Sequence, residues 1–135
     1  MNGGCLCGRV TFQITTFSPF LSHCHCSMCR KFHGAAFATY GTVQEENIVF
    51  SIRDDALKIY QSSYIARRGF CCYCGSSIYY QFLSAPEKFD IALGTLNDEP
   101  DLNVAAHIFY DSKPKWSGEF NDPLPKYREE HDLAK

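Results

Sequence analysis

No apolar run in the sequence approaches the roughly 18 residues that a membrane-spanning helix requires. The first residues, Met1-Asn2-Gly3-Gly4-Cys5, form neither a basic nor an apolar stretch, so no secretory signal is expected there. Excess positive charge is missing as well. Thirteen Lys and Arg face 15 Asp and Glu, and a net charge of −2 argues against a dedicated nucleic-acid binder. Repeats, low-complexity tracts and linker-like stretches are also lacking, and 135 residues are enough for one domain with a buried core. The expectation is a single cytoplasmic domain over residues 1–135, with no membrane and no nucleic-acid partner.

Thiols are what the chain has in quantity. Its eight cysteines fall into three groups: Cys5 and Cys7; Cys24, Cys26 and Cys29; Cys71, Cys72 and Cys74. In a secreted chain they would suggest four disulfides, but without a signal the thiols are expected to stay reduced. Metal binding accounts for the spacing better. Four thiolates around zinc at about 2.3 Å place neighbouring sulfurs about 3.8 Å apart. A CxC on an extended stretch points both side chains to one side, and a CxxC closes round a turn, so each motif supplies two ligands.

Two arrangements fit these cysteines. A single four-thiolate site from Cys26/Cys29 and Cys71/Cys74 leaves Cys5, Cys7, Cys24 and Cys72 without a role. Two sites use more of them: Cys5, Cys7, Cys71 and Cys74 as a closed structural site, and Cys24, Cys26 and Cys29 as a second site with an open position. An open position is the mark of a catalytic zinc. Economy favours the second arrangement, with only Cys72 left over. His23 and His25 alternate with the cysteines and should point away from them. His33, four residues after Cys29, would reach back if a helical turn follows the cluster.

Val10–Ile14 alternates apolar and polar residues as a half-buried strand does. "AAFATY", "LKIY", "FDIAL" and "AAHIFY" read as further strands, and "YIARRGF" and "SSIYYQF" as a hairpin with a metal knuckle at its turn. Short helices are expected at Met28–Phe32 and around Gln44–Asn47. His107 is expected to be a hydrogen-bonded structural residue, and Trp116 to plug an edge of the core. The fold class is mostly β, of short antiparallel strands with zinc joining the sheets.

"GGCLCGRVTF", "CHCSMCRKFHGAAFAT", "RRGFCCYCGSSIYY", "ALGTLND" and "HIFYDSKPKW" follow one another in an order that resembles the glutathione-dependent formaldehyde-activating enzyme family, which shares its domain with centromere protein V. The resemblance runs from Gly3 to about Tyr127. It implies a β-tent of small antiparallel sheets joined by a structural zinc site on Cys5, Cys7, Cys71 and Cys74. It also implies a second, catalytic-type zinc on Cys24, Cys26 and Cys29, making two zincs per chain. The activity implied is that of a carbon–sulfur lyase acting on the adduct of glutathione with formaldehyde.

Basic residues flank the clusters, and glutathione carries two carboxylates that an Arg fork matches well. Arg30, Lys31 and Arg67 are therefore expected to bind substrate. Of Arg67 and Arg68, strand alternation sends one to the opposite face. Three thiolates make the second zinc a weak activator of water, so it is expected to hold the thiol of a small substrate. His25 or His33 would then move the proton, and nothing in the sequence selects between them. A zinc deaminase is excluded, because "CHC" lacks the Glu of the HxE motif. Cys72, beside a ligand, suits a sulfoxide-reductase redox cysteine poorly. The other class in view is a non-catalytic zinc module for protein interaction.

Overall fold

Val10, Phe12 and Ile14 are buried while Thr11 and Gln13 face water, which gives β2 (Val10–Ile14) one covered face. The computed structural model describes residues 1–130. In it β2 pairs on both sides in antiparallel fashion, with β1 (Asn2–Gly4) and β5 (Ile48–Ile52), to make a three-stranded sheet. A second, seven-stranded sheet has the order β10-β3-β4-β9-β8-β7-β6. Its strands are β3 (Leu21–Cys24), β4 (Ala38–Gln44), β6 (Leu57–Tyr60), β7 (Ala66–Cys71), β8 (Ser77–Phe82), β9 (Lys88–Ala92) and β10 (Val104–Ile108).

The mostly-β class expected from the sequence is what the chain adopts, with one correction to the pairing. β10 runs parallel to β3, and all other neighbours are antiparallel. A hairpin forces antiparallel pairing, whereas strands this far apart in sequence are joined by a long crossover and either direction is open to them. β1, β3 and β5 have no counterpart among the expected strands. Among the described residues no helix is long and apolar enough to cross a membrane.

Register gives the large sheet two different faces. Gly41, Ile91 and Tyr79 are cross-strand partners on one of them. Ile91, Tyr79 and Val43 pack with Val10, Phe12 and Ile14 of the small sheet to form the main core. The other face carries a row running Arg68, Tyr80, Asp90 and Thr42 across β7, β8, β9 and β4. Tyr40 and Ala92 are paired beside it, and the line Ala38, Cys24 and Ile108 lies beyond. This second face builds the site.

One α-helix, α1 (Ser27–His33), follows the central cysteines. Cys26 caps its start, its Sγ accepting from the Cys29 N–H at 3.3 Å. Gly34 ends it in the left-handed region at φ 61°, with its N–H donating to Arg30 O. The turn expected around Gln44–Asn47 is a 3-10 turn, Glu45–Asn47. Trp116 does not plug the core. It lies 73% exposed in the 3-10 turn Lys115–Ser117, where flanking prolines and lysines keep the segment at the surface.

Candidate metal centres and the cavity above them

Cys5 and Cys7 occupy a tight turn between β1 and β2. The Cys5 N–H donates to Val10 O at 2.8 Å and the Gly8 N–H to Cys5 O at 3.1 Å. Cys71 and Cys74 occupy a similar turn between β7 and β8, where the Gly75 N–H donates to Cys71 O at 2.8 Å. In both turns a glycine follows the second cysteine with positive φ, 78° at Gly8 and 76° at Gly75, a conformation that a Cβ would strain. The Leu6 N–H donates to Ser76 Oγ at 2.9 Å and ties the two turns together.

The four sulfurs of Cys5, Cys7, Cys71 and Cys74 consequently lie within 4.8 Å of one another. Cys7 Sγ is 3.6 Å from Cys5 Sγ and 3.7 Å from Cys71 Sγ. These separations match the about 3.8 Å of a tetrahedral four-thiolate zinc site, so the residues fit a closed metal centre. Cys72, adjacent but exposed, is not among them.

The second cluster is assembled by one strand end and one helix. Cys24 closes β3, Cys26 caps α1, and Cys29 sits in its first turn; their sulfurs also lie within 4.8 Å of one another. Cys24 Sγ is 3.5 Å from Cys29 Sγ. Among the described residues no fourth Cys, His, Asp or Glu joins the three. Hydrogen bonding among these sulfurs pushes the Cys24 thiol up and holds Cys26 well down. One sulfur takes the charge while its neighbour keeps its proton, and such a set needs a cation before all three can ionise.

Donors converge on Cys29. Arg68, only 2% exposed, lies with Nη1 at 3.5 Å and Nη2 at 3.6 Å from Cys29 Sγ. Its Nη1 also donates to Tyr40 Oη at 3.4 Å, and its Nε to Ser62 Oγ at 3.1 Å. Its guanidinium lies 4.9 Å from the Tyr80 ring centre and 5.3 Å from that of Phe32. The Tyr40 hydroxyl donates to Cys29 Sγ at 3.6 Å. That uses its only proton, so the 2.9 Å contact with His33 Nε2 is made by the imidazole N–H donating to Tyr40. Burial, with the Arg68 charge, holds His33 down at about 4, and burial pushes the Tyr40 phenol up. Both are neutral at pH 7.

The other histidines face elsewhere. His25 is fully buried, with Nε2 at 2.8 Å from His107 Nδ1, and His107 Nε2 lies 2.9 Å from Asp122 Oδ2. His107 is thus the hydrogen-bonded structural residue that the sequence suggested. His23 Nδ1 is 2.8 Å from Thr39 Oγ1. His33 alone among these is linked to the thiol cluster, through Tyr40, and it does not itself join the sulfurs. On its other side His33 borders a separate cleft shared with Phe37 and Ser77.

Above the three sulfurs lies a cavity of about 300 Å³. Cys24, Cys26, Cys29, Tyr40 and Arg68 line its floor, and Ile65, Tyr80, Phe82, Ile108 and Phe109 are among its walls. Arg30, Lys31 and Arg67 do not line it. Arg30 donates to His25 O at 3.3 Å and Ser112 O at 3.4 Å, and with Lys31 and Trp116 it borders another cleft. Arg67 donates to Gln81 Oε1 at 2.6 Å, the two being cross-strand partners on the opposite face of the sheet.

Sequence reasoning weighed Arg67 and Arg68 and chose Arg67, and it did not single out Tyr40 or Asp90. For the arginine a signal was available. Arg67 shares strand parity with Cys71, a member of the other cluster, so Arg68 is the one turned the other way.

Residues 1–112 match the family described as glutathione-dependent formaldehyde-activating enzyme. An uncharacterised lyase of Schizosaccharomyces pombe is 26% identical over 112 residues, covering 83% of this chain and 80% of the relative. A crystal structure of a Rhodobacter sphaeroides protein has a similar fold, with a TM-score of 0.62 at 24% identity. That match covers 93% of this chain and 99% of the other.

Proposed function

The chain belongs to the glutathione-dependent formaldehyde-activating enzyme family, and on that premise we propose that it is a zinc-dependent carbon–sulfur lyase acting on adducts of a small thiol with an aldehyde. The observation that carries this reading is the contrast between the two clusters. Four sulfurs fit a closed centre, whereas three sulfurs lie open at the floor of a cavity. Three protein ligands and a free position are the arrangement of zinc that meets a substrate. The S. pombe relative bears the name of a lyase. The cytoplasm suits eight cysteines that are all free.

Cys24, Cys26 and Cys29 would hold the ion of the open site, and Cys5, Cys7, Cys71 and Cys74 a structural one. Zinc bound there would supply a soft Lewis acid that prefers sulfur and lowers the pKa of a thiol. The chain's own side chains set the conditions. Arg68 and Tyr40 donate to Cys29 and would stabilise its thiolate form once the ion is bound. His33 fixes the Tyr40 hydroxyl toward that sulfur. Apolar walls exclude water from the reacting carbon.

In the lyase direction the adduct's C–S bond breaks and its electron pair passes to sulfur. The hydroxyl oxygen becomes the carbonyl oxygen of the aldehyde, and its proton passes to the departing sulfur, which leaves as the thiol. No oxidant or reductant is needed. Cobalt-substituted protein titrated with 2-mercaptoethanol tests the reading. A shift in the sulfur-to-cobalt charge-transfer band at saturation is expected, and an unchanged band would overturn it.

A further inference from the structure

We infer that the cavity over Cys24, Cys26 and Cys29 receives the uncharged, apolar end of the adduct, an aromatic or branched aliphatic group, and not the charged peptide arms of glutathione. The inference takes from the proposed function only that the sulfur end of the adduct meets the open cluster.

Charge is the first reason. Three thiolates outweigh a zinc ion by one negative charge, and the buried Arg68 balances it, so the floor of the cavity is neutral without a ligand's help. Among the described residues lining the cavity, Arg68 is the only Lys or Arg. Its fork is already shared among Cys29, Tyr40 and Ser62, and its faces lie against Tyr80 and Phe32. It has no bidentate face left for a carboxylate. Asp90, on the same walls, is an acid, and its carboxylate opposes an anionic ligand.

The second reason is the lining itself. Phe82, Ile108 and Phe109 form walls within the cavity, and Met28 and Ile65 stand at its mouth with 50% and 53% of their surfaces exposed. Apolar side chains left in water around a concave site are covered favourably by an apolar ligand group. Size agrees, because about 300 Å³ is at the small end of ligand cavities and suits one ring or a short branched chain. The basic pair nearest the cluster, Arg30 and Lys31, borders a different cleft, so glutathione's carboxylates would not meet it from inside this cavity.

The test compares benzyl mercaptan, 2-mercaptoethanol and glutathione on the cobalt-substituted protein, and adds the thiol-free probe 4-fluorotoluene, followed by fluorine NMR on the zinc form. Benzyl mercaptan is expected to saturate the charge-transfer change at a concentration at least tenfold below 2-mercaptoethanol, equivalent to about 1.4 kcal/mol. Glutathione should be no tighter than 2-mercaptoethanol. The ratio between benzyl mercaptan and 2-mercaptoethanol should narrow in Ile65→Ser, an exposed position that does not endanger folding, and in Phe82→Leu. Glutathione binding as tightly as benzyl mercaptan, or a ratio near one in the wild type, overturns the inference while leaving the thiol chemistry standing. If no thiol moves the band, the proposed function fails, and 4-fluorotoluene decides the cavity alone. Saturable binding weakened by Ile65→Ser supports an apolar ligand, and no binding overturns it.

Discussion

Arg68 holds both terminal nitrogens of its guanidinium against Cys29, at 3.5 and 3.6 Å from the sulfur. A buried cation beside a buried thiol is costly unless each compensates the other, and here the arginine supplies the charge that a cluster of three thiolates lacks. The two residues come from β7 and α1 and meet only because the helix lies across the site face of the sheet.

Removing that cation should therefore be felt at the metal. Arg68→Met is expected to lower zinc affinity at Cys24, Cys26 and Cys29 roughly 10- to 100-fold, as loss of partners behind a ligand does. Competition with a chromophoric chelator measures it. The four-sulfur centre, which Arg68 does not contact, should keep its ion. In denaturant unfolding the variant should also lose about 3 kcal/mol, because a buried pair has lost one member.

The two clusters should respond differently to loss of a ligand. Wild-type protein is expected to carry two zinc ions per chain. Cys5→Ser should release the closed-site ion and unfold the domain, because binding there is also folding free energy. Cys26→Ser should release the other ion and preserve the near-ultraviolet circular dichroism. Metal analysis alongside that spectrum checks both, and a folded wild type with one zinc would contradict the assignment.

Gly75→Ala places a Cβ at φ 76°, where the turn over Cys71 and Cys74 requires a left-handed residue. It should cost about 1–2 kcal/mol in chemical denaturation. The space beside Gly75 is open, with nothing within 4 Å of an added Cβ, so the loss would come from the backbone and not from a clash.

Asp90 gives a dependence on pH. Burial raises its carboxyl from 3.8 to about 6, against the Thr42 hydroxyl, which donates to it at 2.6 Å, and against the Lys88 charge. Between those two values the folded chain binds a proton that the unfolded chain does not, so this group adds stability as pH falls from above 6 toward 4. Asp90→Asn should abolish that component. The difference in melting temperature between variant and wild type, followed from pH 7 to pH 5, is the measurement, and comparing the two proteins cancels the protonation of cysteine ligands common to both. Equal slopes would show that Asp90 titrates normally.

The sequence by itself determined which sulfurs lie close as local groups, while economy of cysteines and the family resemblance suggested how those groups combine into two sets. A CxC or CxxC brings two sulfurs together within three or four residues, and the glycines after Cys7 and Cys74 permit the turns, so for each group local backbone geometry sufficed. The alternation in Val10–Ile14 and the hairpin around the Cys71–Cys74 knuckle were legible for the same local reason. Tertiary structure alone decided how the sheet uses its faces. It aimed Tyr40 at Cys29, turned His25 toward His107, and set β10 parallel to β3. Each of these depends on register between strands distant in the chain, and a shift of one residue would exchange every side chain between the core and the cavity.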